Sequence, residues 1–307
     1  MHKKVSILMN CYNGQIYLRE AINSVLNQSY TNWELIFWDN RSTDSSADIY
    51  LEFKDPRFKY YLAETHTSLG KARENASKFL DGEFIAILDV DDIWLEKKIE
   101  KQVQIFEKDL TLGIVISNTE FFSKNKSKVL HKRSYHIKTN AYRELLRNYN
   151  ISLETVMIRK SFAKNKLFDA KYSHIADFEL IMRVLEHSKL FYCNEVLAKW
   201  RVHEANNSWL FPNKFNQEKI QWVKEKILDE NYYKKYKSEI DYFINKIYIS
   251  RIIKILINKP MKFRYRNIYY LNFKFMLSWA VLFCILFPVS RKYLKYRFSS
   301  KYLLDAN

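Results

Sequence analysis

Phe84-Ile85-Ala86-Ile87-Leu88-Asp89-Val90-Asp91-Asp92 runs five apolar residues straight into three carboxylates. A short continuous apolar run ending in polar residues reads as a strand covered on both faces, the kind that builds parallel sheets. Upstream, Val5 to Met9, Leu35 to Trp38 and Phe58 to Leu62 read the same way. Between them Ile16, Leu18, Ile22, Val25 and Leu26 fall on helical spacing, and a helix is predicted over about 69–80. Buried strands alternating with amphipathic helices imply right-handed crossovers. The fold class is therefore α/β, with a mostly parallel, Rossmann-like central sheet flanked by helices.

Ligands of such sheets bind off the carboxyl ends of the strands. The first strand is followed by Asn10-Cys11-Tyr12-Asn13-Gly14 and the second by Asp39-Asn40-Arg41-Ser42-Thr43-Asp44. The strand from Phe84 ends in Asp89-Val90-Asp91-Asp92. Any one of these clusters is an ordinary turn composition. Three at successive strand ends face one crevice and point to a site. Carboxylates two apart at a strand end can converge on a hard cation such as Mg²⁺ or Mn²⁺, which takes few protein oxygens and fills its shell with water and phosphate. Asp92 also suits a helix cap before Ile93-Trp94-Leu95. Asp177 opens an amphipathic helix over 177–187 and likewise suits a cap.

Further along, Gly113 to Ser117 and Thr155 to Ile158 read as strands, and a helix closes over Leu145 to Tyr149. From about Phe211 the sequence becomes long, Lys-rich and helical. Two regions are predicted: 1–210, and a helical, basic 211–307.

The chain has 307 residues, 48% apolar and 16% aromatic, with 4 Gly and 4 Pro, which excludes disordered and collagen-like classes. Fifty-one Lys and Arg against 34 Asp and Glu give a net charge of +17, pointing to an anionic partner. Three scattered cysteines, Cys11, Cys193 and Cys284, argue against a disulfide scaffold and fit a reducing cytosol. The apolar run at the N-terminus is too short for a signal peptide, so the catalytic part is expected on the cytoplasmic side.

Taken in order, the motifs resemble glycosyltransferase family 2, with its GT-A fold, over Val5 to Trp209. Val5-Ser6-Ile7 with Tyr12-Asn13 matches the opening strand, and Ala21 to Tyr30 the helix after it. Glu34 to Asp39 with Ser42-Thr43-Asp44 matches the nucleoside loop. Gly70-Lys71-Ala72-Arg73 matches the donor helix, and Gly82-Glu83-Phe84-Ile85 the strand before the acidic motif. Ala176-Asp177-Phe178-Glu179-Leu180 with Arg183 resembles the base helix, and Trp200-Arg201-Val202-His203 the end of the catalytic domain.

The resemblance implies roles. Tyr12, Asn13 and Asp39 would contact the nucleoside of a nucleotide-sugar donor, a UDP-sugar in this family. Arg73, Asp89 and Arg201 would lie along the rest of the donor. Asp89, Asp91 and His203 would hold a divalent cation, Mn²⁺ or Mg²⁺, and Asp177 would be the general base. The implied reaction is inverting, non-processive sugar transfer to a saccharide or lipid-linked acceptor, in surface polysaccharide or lipopolysaccharide assembly. Asn10 stands where proline is common in the family, Asn40 where a second aspartate is common, and Ala176 where glutamate often precedes the base. The Gln-x-x-Arg-Trp motif of processive members does not occur. Trp94 is a candidate for the acceptor side; Trp38 reads as core.

Near the C-terminus, residues 275–289 form an apolar run flanked by Lys, Arg and Tyr. It is shorter than the roughly 20 residues of a spanning helix. Basic flanks and interfacial aromatics suit a segment lying on an anionic leaflet. Peripheral contact with the inner face of the membrane is therefore expected, with packing on the core as the alternative. No nucleic-acid partner is expected, since no helix-turn-helix, RNP or zinc-finger spacing occurs. The other readings are a nucleotide-sugar-binding scaffold without activity and, behind it, an RNA-binding basic protein.

Overall fold

The computed structural model describes residues 3–131, 140–164, 166–206 and 210–258, with side chains to 249. The chain divides into two compact units, Met1–His203 and Glu204–Asn307. The division falls a few residues before the composition change near Phe211.

The first unit runs β1 (Val5–Cys11), α1 (Leu18–Leu26), β2 (Trp33–Asp39), α2 (Ser46–Leu51), β3 (Phe58–Leu62), α3 (Leu69–Ala76) and β4 (Phe84–Ile87). It continues with β5 (Ile93–Trp94), α4 (Lys98–Lys108), β6 (Leu112–Phe122), β7 (Ser127–Val129), α5 (Ala141–Arg147), β8 (Met157–Arg159), α6 (Ala176–Leu185) and β9 (Lys189–Arg201). One sheet joins all nine strands in the order β3-β2-β1-β4-β8-β6-β9-β5, with β7 paired to β6.

The parallel pairing expected from the apolar runs holds through β3-β2-β1-β4 and again between β6 and β9. β8 lies antiparallel to both β4 and β6, and β5 and β7 are antiparallel additions, so the sheet is mixed. Strand direction depends on the connection that delivers each strand, and apolar periodicity does not encode it. β3 is one edge: its residues are half-buried and Leu62 is exposed, unlike the fully covered β2. Asp92 leads into the two-residue β5; the next helix, α4, starts only at Lys98. The cap role open to Asp92 is thereby replaced.

Side-chain alternation divides the sheet. Val5, Ile7 and Met9 of β1 and Leu35 and Phe37 of β2 share a core with Leu18, Ile22 and Val25 of α1. Fully burying one such aliphatic chain contributes about 1.5–3 kcal/mol. Ser6 and Glu34 belong to the opposite alternation. Glu34 accepts from Ser6 Oγ at 2.5 Å, Lys4 Nζ at 2.8 Å and Lys59 Nζ at 2.5 Å.

Burial alone would raise the Glu34 carboxyl, but its contacts with Asp81, Lys4, Lys59 and Ser6 outweigh that and hold it well below the usual carboxylate range. A folded value below the unfolded one of about 4.3 gives stability that is present above that pH and lost as pH falls through the folded value. Glu34→Gln is expected to cost about 1–2 kcal/mol at neutral pH, discounted because both ammonium groups are well exposed. The gap to wild type should narrow below about pH 4. Urea denaturation at neutral and acid pH measures both; an undiminished gap in acid would assign the loss to packing.

The second unit contains α7 (Pro212–Leu228) and α8 (Glu230–Asn258), which pack on one another. Pro212 suits a first helical turn, where its missing N–H has no partner to lose. α8 bends at Tyr236, whose backbone leaves helical geometry. Trp222 meets Phe243 edge-on at 6.2 Å. Among the described residues no helix is long and apolar enough to cross a membrane. The 275–289 run lies outside the described residues, as does Trp209.

Candidate active site

The carboxyl ends of β1, β2 and β4 carry the three polar clusters, and the fold gathers them. The loops after β1 and β2 are stitched together. Asn13 adopts left-handed backbone geometry (φ 55°), which asparagine tolerates. Its Oδ1 accepts from Thr43 N at 2.8 Å. Gly14 N donates to Ser46 Oγ at 2.9 Å, and Asp44 accepts from Gln15 N and Ser46 Oγ. A Cβ on Gly14 would lie 2.8 Å from Val90 Cγ2, so the acidic turn and the first loop are in contact.

Tyr12 is half exposed, with its ring 4.1 Å from that of His66. Asp39 is buried, and both carboxylate oxygens are used: Oδ1 accepts from Ser42 N at 2.7 Å and Oδ2 from Tyr60 Oη at 2.7 Å. Asn40 ties this loop to the 64–67 segment, donating to Thr67 O at 2.8 Å and accepting from Thr67 N at 3.2 Å. An amide serves there because it must donate as well as accept, which an ionised aspartate cannot do.

Asp89 to Asp92 form a turn closed by Asp92 N donating to Asp89 O at 3.2 Å. Arg73 of α3 is buried and donates to Asp89 Oδ1 at 2.8 Å. Glu74, beside Arg73 in sequence, pairs with Lys71 instead. Burial and the nearby Asp91 and Asp177 charges push the Asp89 carboxyl up, against the opposing pull of Arg73. Gly70 lets α3 approach closely: a Cβ there would sit 2.1 Å from the Tyr172 carbonyl, on the segment leading to α6. α3 is thus set against the segment that leads into α6.

The end of β9 closes the other side. His203 Nε2 lies 2.8 Å from Asp91 Oδ2. Arg201 donates from its backbone N to Asp92 Oδ1 and from Nε to Asp91 O, each at 2.9 Å. Its guanidinium also pairs with Glu20 and lies over the rings of Tyr17 and Phe122. The Arg201 side chain therefore clamps the acidic turn. Asp92 caps the Arg201 amide from a buried position; burial, with Glu154, Asp91 and Asp89 nearby, pushes its carboxyl well above the usual range.

Beneath the turn, Trp94 is buried and donates from Nε1 to Glu154 O at 2.8 Å, which places it in the core and not on an acceptor surface. Trp38 is buried, as expected. Lys98 is fully buried, 4.2 Å from the Trp94 ring centre, and donates to Gln102 Oε1; burial pulls its ammonium down to about 7. Gln28 bonds Leu95 O and Ile99 N, holding the segment after the turn from the α1 side.

Asp177 is the second residue of α6 and accepts from Tyr149 Oη at 3.1 Å. The cap position belongs to Ile175, so the cap reading of Asp177 gives way. Tyr149, Glu154, Lys98 and His66 were not singled out from the sequence. Tyr149, Glu154 and His66 meet partners distant in the chain, Asp177, Thr119 and Asn40, whereas Lys98 is buried between Trp94 and Gln102, four residues away on either side.

The fold and this cleft, with carboxylates gathered at strand ends, define a GT-A type of transferase. The family model for Glycosyl transferase family 2 matches residues 6–167. WfgD of Escherichia coli, named as a UDP-Glc:alpha-D-GlcNAc-diphosphoundecaprenol beta-1,3-glucosyltransferase, is 32% identical over 71% of this chain and 83% of its own. Among solved structures, S. aureus TarS 1-349 in complex with UDP-GlcNAc matches with TM-score 0.67 at 17% identity, covering 97% of this chain and 88% of that one. A mannosyltransferase from Pyrobaculum calidifontis with GDP-Man and Mn2+ matches with TM-score 0.60 at 13% identity, covering 100% of this chain and 89% of that one. The chain belongs to glycosyltransferase family 2 and is a glycosyltransferase.

Proposed function

We propose that this enzyme inverts the anomeric centre while moving one sugar from a UDP-sugar to a hydroxyl of a lipid-linked saccharide. The observation that carries the reading is Asp89, gripped by Arg73 and in charge contact with both Asp91, which meets His203 from the end of β9, and Asp177 on α6. WfgD, the relative named for a UDP-glucose donor and a diphosphoundecaprenol-linked acceptor, supports both substrate classes. TarS, solved with UDP-GlcNAc, supports a uridine donor.

Tyr12 offers an exposed ring for the base, Asn13 and the buried Asp39 fix the loops around it, and Arg73 lies along the diphosphate side. Arg201 acts by holding the acidic turn. Among the described residues no three His, Cys, Asp or Glu side chains form a metal cage. Asp91 Oδ2 and His203 Nε2 lie 2.8 Å apart, an oxygen and nitrogen pair that would serve as ligands to Mn²⁺ or Mg²⁺. Asp89 stands beside them. A divalent cation held there would supply positive charge to a diphosphate leaving group.

Asp177 takes the proton of the acceptor hydroxyl. The hydroxyl oxygen forms the new bond to the anomeric carbon, and the bond from that carbon to the diphosphate oxygen breaks with its electron pair on the diphosphate. Attack from the face opposite the leaving group inverts the centre. Such a carboxylate base contributes typically 10²–10⁴-fold.

The enzyme works from the cytoplasm against the inner face of the membrane, where a lipid-linked acceptor is available and its +17 charge favours anionic lipid. A screen of UDP-, GDP- and dTDP-sugars for nucleotide release, with membrane extract as acceptor source, tests the reading. UDP release that rises with extract is expected. Release confined to another nucleotide would overturn the donor, and release indifferent to extract would overturn the acceptor.

A further inference from the structure

Tyr149 is a polar side chain at this site to which the sequence motifs assign nothing. It follows α5, its ring meets Phe178 edge-on at 5.1 Å, and its Oη lies 3.1 Å from Asp177 Oδ2. No other hydrogen-bond partner of the Asp177 side chain occurs among the described residues. The residue before it, Ala176, offers only a methyl group where the family often carries a carboxylate. We propose that Tyr149 is the positioning residue of the base, fixing the Asp177 carboxylate by donating its phenol proton to one oxygen and leaving the other for the acceptor hydroxyl. This rests on Asp177 being the base.

The direction of the bond is settled by chemistry. An ionised carboxylate can only accept. Burial, and then the Asp177 charge and hydrogen bond, push the Tyr149 phenol well above its usual value, so it keeps its proton at working pH and is the donor. A donor to a carboxylate favours the charged form over the protonated one. The charged groups that act on this pair are Arg73 from α3 and Asp89 from the end of β4. On α6 itself Glu179 is engaged by Arg183. His174 lies three residues before Asp177, on the segment leading into α6.

The test is Tyr149→Phe, which keeps the ring against Phe178 and removes only the hydroxyl. Expected are an unchanged donor KM and a kcat lower by roughly tenfold, part of the total that a general base supplies. The acid limb of the kcat profile should move up by about one pH unit, the size of a hydrogen bond to a charged group. A uniform fall in kcat with the limb unmoved would make Tyr149 packing alone and overturn the proposal. So would a limb that moves in His174→Gln but not in Tyr149→Phe. If Tyr149→Phe fails to fold, 3-fluorotyrosine at position 149 replaces it: a more acidic phenol should shift the limb downward, and no shift refutes the role. Asp177→Asn, run alongside, separates the two levels. Retained turnover there removes the base itself, whereas a dead Asp177→Asn beside an ordinary Tyr149→Phe removes only the positioning residue.

Discussion

Asp91→Asn should reduce sugar transfer by roughly 10³-fold or more, since a cation's stabilisation of a leaving group amounts to several kcal/mol. Asparagine keeps the shape of the side chain and the backbone carbonyl that Arg201 grips, so the acidic turn should stay closed. What it removes is the anionic oxygen facing His203. Calorimetric titration with UDP should show the Mn²⁺-dependent part of binding gone and a metal-independent remainder. Nucleotide release at saturating donor measures the rate. Turnover like wild type, or full activity of the native enzyme in EDTA, would remove Asp91 from the metal role.

Asp177→Asn should cut turnover by roughly 10²–10⁴-fold while donor affinity stays near wild type. The amide oxygen can still accept from Tyr149, so α6 and the ring contact with Phe178 should hold; only the proton acceptor is lost. The informative readout is the split between kcat and donor KM. A collapse of donor affinity with bound substrate still turning over would make Asp177 a donor ligand, and the base would have to be sought elsewhere in the cleft.

How far such a site can be read in advance depends on the range of the physics involved. Asp89, Asp91 and Asp39 are legible because each ends an apolar strand, and strand ends in an open α/β sheet share one crevice. The Asp92 cap was a local reading, and it failed because a two-residue strand pairs with β9 where a helix was expected. Arg73 sits beside Glu74 in sequence, yet its guanidinium reaches Asp89. Trp94 follows the acidic motif directly, but its indole turns inward to Glu154.

The sequence by itself determined the alternation of strands and helices, the polar clusters at the strand ends, the acidic turn and the family. All of these follow from residue order over a few positions, through periodicity, turn chemistry and strand-end carboxylates. The tertiary structure decided which strands run antiparallel, that Arg201 clamps the turn from 110 residues away, that His203 meets Asp91, and that Tyr149 meets Asp177. Those partners are far apart in the chain and are joined only when the sheet closes around the cleft. Their hydrogen bonds depend on distances of about 3 Å, which no local pattern of residues encodes.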